Sequence, residues 1–182
     1  MILDQYYEAK PWKVNQVWGV KNPIYKQFGF GEHNGTDIAP GKNKKLFAPF
    51  DCEVTKIGWQ PNGAGLYICV LSLVQYDWED GKRAWVEKTY MHLESTVAKV
   101  GDKLKAGDTL AVPDNTGFST GPHTHIAAKR VMKVPGGYKD IDTNEAKNTF
   151  DDAPYYNGKY AVDIQISVLS KMIDLLKTLL PK

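Results

Sequence analysis

Before residue 160 the chain contains no apolar stripe of helical period long enough to make a helix. Instead, short runs of β-branched and aromatic residues alternate with clusters of Gly, Pro, Asn and Asp, which reads as strands joined by turns. Pro11 to Phe30 is rich in aromatics, Gly and Pro and is expected to form strands and loops. Leu46 to Ile57 predicts two short strands broken at Pro49, and Leu66 to Val74 a buried strand. Asp80-Gly81 predicts a two-residue hairpin turn, with Thr89 to Leu93 continuing the returning strand. From Val97 to Ala111, two apolar pieces separated by Gly-Asp turns suit a compact β-domain. The expected fold class is mainly β, an antiparallel sheet of barrel-sandwich kind, over residues 11–160.

The tail is different. Apolar residues at 162, 166, 169, 173, 176 and 180 step by four and three, so residues 161–182 are expected to form an amphipathic C-terminal helix from about Asp163. Val162, Ile164, Ile166 and Val168 also alternate, which leaves a strand open at its start. Such a helix packs on its own domain or mediates oligomerisation.

Composition narrows the function. At 182 residues the chain suits one domain plus an appendage, and a net charge of +2 gives no broad basic field for nucleic acid. No apolar run reaches the ~20 residues of a membrane span. The first ten residues, MILDQYYEAK, carry early acids and no long apolar core, so no signal peptide is expected. Two cysteines cannot supply a disulfide scaffold or a four-thiolate zinc site. Cys52 and Cys69 are expected as buried free thiols, with a bridge between paired strands as the other possibility. Any metal must be held by the four histidines or by carboxylates.

Those histidines fall in three short motifs. His33 precedes Asp37 by four positions across the Asn34-Gly35 turn, so both side chains can fold toward one point. His123 and His125 alternate on a predicted strand and share a face, with Thr124 opposite. His92 ends the returning strand in Tyr90-Met91-His92-Leu93. Imidazole and carboxylate suit zinc, and three protein ligands plus a water is the usual catalytic arrangement. Two histidines are then left for proton transfer and oxyanion stabilisation.

The ordered set His-x-x-x-Asp, lone His and His-x-His resembles the lysostaphin/LytM-type zinc endopeptidases. Phe28-Gly29, Asp37-Ile38-Ala39, Phe47-Ala48-Pro49, the two Gly-Asp turns and Thr116-Gly117-Phe118-Ser119-Thr120-Gly121-Pro122-His123 stand in the same order, covering roughly residues 14 to 130. The resemblance implies a LytM-type β core with one Zn2+ per chain, held by His33, Asp37 and His125. It also implies His92 and His123 as catalytic histidines without a metal bond. The implied substrate is a peptide of bacterial cell-wall peptidoglycan, in stem or cross-bridge, cut by a zinc-activated water. One free histidine would take a proton and the other would steady the oxyanion.

This chain departs from many relatives in two places. Ile126-Ala127-Ala128 follows His-x-His in place of an aromatic and an acid, and the hairpin from Gln75 to Lys88 is long and charged, which bears on the groove wall. Trp59 and Tyr67 are the groove candidates, although such aromatics more often pack a core.

The competing class is a catalytically inactive wall-binding or partner-activating domain on the same fold. A swinging-arm carrier, suggested by the paired Gly-Asp turns, is disfavoured because the only Met-Lys, Met132-Lys133, lies downstream of them. The expected setting is a phage lysin in the host cytoplasm before release to the wall, a virion-borne wall enzyme, or a mature secreted form.

Overall fold

A computed structural model of the chain describes residues 13–42, 44–144 and 146–152. The predicted C-terminal helix and the two outer limits of the predicted domain lie outside these residues. The strands, in chain order, are β1 (Val14–Gln16), β2 (Thr36–Ile38), β3 (Leu46–Phe47), β4 (Cys52–Gln60), β5 (Gly65–Ser72), β6 (Tyr76–Asp77), β7 (Arg83–Thr96), β8 (Lys103–Leu104), β9 (Thr109–Pro113), β10 (Thr124–Val134) and β11 (Gly137–Asp140). They pair antiparallel in an open path β1-β2-β10-β7-β5-β4-β8, with β9 on β7 and β3, β11 on β10, and β6 on β7. The mainly β, antiparallel class is therefore as the turn spacing predicts.

Three local readings change. Pro23–Phe28, within the stretch expected as strands and loops, is a 3-10 helix. Asn22 caps its start by accepting from the Ile24 N–H, and Gly29 ends it in the left-handed region at φ 79. The hairpin at Asp80-Gly81 is wider than two residues: Asp77 pairs with Arg83, and Trp78 N–H donates to the Lys82 carbonyl. The returning strand does not end at His92 but runs to Thr96.

Alternation along the central strands gives the sheet two unlike faces. Val86 and Tyr90 of β7, Ile68 and Val70 of β5 and Ile126 of β10 join Ile38, Leu46 and Leu110 in one fully buried core. On the other face Tyr67, Cys69 and Ala64 form a small cluster with Met91. Ala127 and Ala128 are both buried, so β10 is covered on both faces at these positions. Cys52 and Cys69 are free and buried in different clusters, as expected for thiols that pack and do not bridge. Burial pushes the Cys52 thiol up to about 12, where it is inert.

The charged hairpin folds over the core. Trp78 packs edge-on against Phe150 at 5.0 Å, and Arg130 lies 4.9 Å over the Trp78 ring while pairing with Asp142 and Asp80. Lys88, fully buried on β7, meets Asp152 at 2.6 Å. Burial lowers its affinity for the proton, and Asp152 opposes that shift. Removing either partner would strand a buried charge. The segment before Asp152 is tied to the sheet: Phe150 N–H donates to the Ala128 carbonyl, Thr149 bridges Lys129, and Trp18 Nε1 donates to Thr149 Oγ1 at 2.9 Å. No helix among the described residues is long and apolar enough to cross a membrane.

Candidate active site

The sheet register brings the histidine motifs together. Asp37 of β2 lies directly opposite His125 of β10, which lies opposite Met91 of β7 on its other side. His33 sits four residues before Asp37, buried, with its ring edge-on to His125 at 4.8 Å. The donor atoms converge: His125 Nδ1 is 2.9 Å from Asp37 Oδ1 and 3.0 Å from His33 Nε2, which is 3.3 Å from Asp37 Oδ1. A tetrahedral zinc with bonds near 2.0–2.1 Å separates its ligands by roughly 3.3 Å, so these donors fit one ion with little movement. Among the described residues this is the one His/Asp cluster able to hold a metal.

Hydrogen bonds set which nitrogen faces the centre. A carbonyl only accepts, so His33 Nδ1–H donates to the Val17 carbonyl at 2.8 Å and leaves Nε2 with its lone pair inward. His125 faces the centre through Nδ1, while its buried Nε2 has no hydrogen-bond partner. Burial lowers the His125 pKa, which keeps a lone pair for a cation at neutral pH. Burial alone would raise the Asp37 carboxyl, but its contacts with the His125 and His33 imidazoles outweigh it and hold the carboxyl well below its usual range.

Gly35 is needed for close approach as well as for the turn. A Cβ there would lie 2.6 Å from His125 Nε2 and 2.4 Å from the Ile126 carbonyl oxygen. Gly35→Ala is therefore expected to lose about 1–3 kcal/mol of stability and to displace the His125 ring. Denaturant unfolding checks it; a wild-type midpoint would contradict the packing described.

His92 reaches the cleft through a β-bulge. Tyr90 pairs with Ile68 and Leu93 with Leu66, so two residues, Met91 and His92, oppose Tyr67 alone. Tyr90 and Leu93 both fill the core, and the extra residue turns Met91 and His92 to the cleft together. His92 takes φ 63, a left-handed conformation that costs a non-glycine residue about 1–3 kcal/mol. Its Nδ1–H donates to the Thr116 carbonyl at 2.8 Å, and burial pushes its pKa down to about 4. Nε2 thus carries a lone pair.

His123 is held in the same sense, its Nδ1–H donating to the Gly121 carbonyl at 2.8 Å with Ser119 Oγ at 3.1 Å. Its Nε2 lies 3.7 Å from Asp37 Oδ1, and its ring is 4.7 Å from that of His92. The Asp114 backbone clamps the pair, donating to the His92 carbonyl and accepting from His123 N–H.

All five predicted residues line one cleft of about 820 Å3. Trp59, 59% exposed, lines it too, whereas Tyr67 is buried beneath it and packs close to Gly58. No hairpin residue from Gln75 to Lys88 lines the cleft, so that insertion does not shape the groove wall. The wall that sequence reasoning missed is aromatic: Tyr25 stacks on His33 at 5.4 Å, and Phe28 meets Phe118 edge-on at 5.2 Å. Its signal was the aromatic density of residues 25–30, a stretch expected only to form strands and loops.

The antiparallel sheet thus gathers two imidazoles and a carboxylate that could hold a metal ion beside two further imidazoles. Residues 31–137 match the model of peptidase family M23, and the chain belongs to that family. It is 34% identical over 123 residues to an uncharacterized metalloprotease of Haemophilus influenzae, covering 63% of this chain and 24% of the relative. It is 36% identical over 96 residues to the glycyl-glycine endopeptidase ALE-1 of Staphylococcus capitis, covering 53% of this chain and 24% of that protein. Peptidoglycan DD-endopeptidase ShyB of Vibrio cholerae is 32% identical over 95 residues, covering 52% and 20%. The chain thus spans about a quarter of the length of these curated relatives. The crystallized catalytic domain of lysostaphin from Staphylococcus simulans shares the fold, with TM-score 0.56, 24% identity, and 79% of this chain and 91% of that one covered.

Proposed function

We propose that this chain is a zinc-dependent endopeptidase that hydrolyses peptide bonds of bacterial peptidoglycan. The observation that carries this reading is the convergence of His33 Nε2, Asp37 Oδ1 and His125 Nδ1 within 3.3 Å, beside two histidines whose Nε2 atoms are free to act. His33, Asp37 and His125 would hold the ion, one per chain, which when bound activates water and polarises the scissile carbonyl. His92 and His123 divide the remaining work. One Nε2 accepts a proton from the attacking water, and the Nε2–H formed by that transfer donates to the oxyanion and then gives the proton to the leaving amine. Their fixed Nδ1–H bonds keep both rings in the tautomer this requires. Relatives named as endopeptidases of glycine bridges and of peptidoglycan support the substrate class. An inactive binding domain of this fold would have no use for five polar side chains held in a partly buried cleft.

The test is digestion of purified cell walls with mass spectrometry of the released peptides, before and after chelation and zinc return. New peptide termini that vanish on chelation and return with zinc are expected. Intact walls at one zinc per chain would leave the wall-binding reading in its place.

Acidity gives a second check. His125 is held below the ordinary histidine pKa, so it stays neutral at pH 7, and protonation at lower pH removes its lone pair. Zinc content and turnover are expected to fall together as pH drops below the ordinary histidine range. Undiminished turnover below about pH 5 would contradict a histidine-held metal.

A further inference from the structure

Past Phe30 the cleft opens into a second, shallower pocket of about 350 Å3, lined by Lys26, Gly29, Phe30, Gly31, Asn144 and Lys147. Phe30 and Lys147 line both spaces, so the two are adjacent. Among the described residues the small pocket has two lysines and no carboxylate in its wall. Neither lysine has an ion-pair partner among the described residues. Two uncompensated cations in a concave wall make a place for an anion.

The pocket is built, not incidental. Lys147 takes φ 52, and Asn144 Oδ1 fixes that turn by accepting from the N–H groups of Ala146 and Asn148. The Lys147 stem lies across Gly29, its Cε 4.0 Å from where a Cβ on that glycine would be, and its ammonium sits 4.9 Å over the Phe30 ring. Lys26 stands in the last turn of the 3-10 helix, whose closing bond runs from Gly29 N–H to the Lys26 carbonyl. Of the lining residues only Gly31 lies within the stretch matched to the family model. The pocket is therefore a feature of this chain's flanking segments, laid against the shared core.

We propose that this pocket is a subsite for a carboxylate carried by the substrate peptide. The inference rests on the endopeptidase reading above and narrows it. Phe30 stacks on Tyr25 at 5.9 Å, and Tyr25 stacks on His33, so an extended peptide reaches Lys147 from the scissile bond in no more than about five residues. Stem peptides carry carboxylates at that range, whereas a run of glycines carries none between its ends. The cleft thus favours acidic stem peptides over neutral glycine bridges.

The test compares two synthetic stem peptides of one sequence, one with a free carboxylate and one with the carboxamide, on wild type, Lys147→Gln and Lys147→Glu. Wild type is expected to prefer the carboxylate roughly three- to tenfold in kcat/KM, through KM, with the preference shrinking in high salt. Lys147→Gln brings the ratio near one through KM, and Lys147→Glu reverses it. An equal ratio in wild type and Lys147→Gln overturns the subsite while leaving the hydrolase intact. Failure of wild type to cut either peptide sinks the endopeptidase reading instead. Calorimetric binding of both peptides to wild type and Lys147→Gln then decides the subsite, equal affinities overturning it.

Discussion

His125→Ala is expected to lower zinc affinity by about 10^2–10^4-fold and to reduce wall hydrolysis by at least about 10^3-fold. The physical reason is the central place of His125 Nδ1, which lies within 3.0 Å of both Asp37 Oδ1 and His33 Nε2. Without it a two-donor site is left. The Asp37 carboxyl also loses the nearer of the two imidazoles that keep its pKa low. Because the ring is buried, its removal opens a cavity, so the folded state must be checked beside the metal. Zinc analysis and thermal unfolding, run with Asp37→Ala and His33→Ala, separate the two effects. A folded His125→Ala chain with stoichiometric zinc and full turnover would falsify the ligand assignment.

The second large effect separates metal holding from proton chemistry. His92→Ala and His123→Ala are each expected to keep about one zinc per chain while losing about 10^2–10^4-fold in kcat. His33, Asp37 and His125 form the cluster with converging donor atoms, whereas His123 Nε2 stands 3.7 Å from Asp37 Oδ1 and His92 lies outside that cluster. His92→Gly adds a discriminating arm. It loses the imidazole yet relieves the left-handed backbone at φ 63, so it should be more stable than His92→Ala by about 1 kcal/mol and equally inactive. Loss of zinc in either His92 variant would move that residue into the ligand set.

What could be read from residues alone was the list of groups and their kind. Short β-type runs between Gly, Pro, Asn and Asp turns require an antiparallel sheet, because no stretch among them has the period to bury a helical face. Four histidines in three spaced motifs nominate the cleft residues, since a chain this poor in histidine and cysteine has few other soft donors. His33 and Asp37, four apart across a glycine turn, and His123 and His125, two apart at a strand start, share a side for local reasons that spacing expresses.

Tertiary structure decided what spacing cannot express. Strict alternation along β7 would have sent His92 into the core beside Tyr90 and Leu93 out of it, and the bulge against Tyr67 exchanges the two. A bulge depends on the register of two strands, and register is set by which faces must be buried together. The same holds for Gly35, a plain turn residue until β10 brings the His125 ring against it. Trp59 and Tyr67, equivalent as groove aromatics in the sequence, part because successive strands present them to different surroundings. Lys26 and Lys147 stand 121 positions apart and meet only because Thr149 and Phe150 pin the late segment to β10. Local chemistry is written in the order of residues, whereas the meeting of distant groups is settled by burial and strand pairing across the whole sheet.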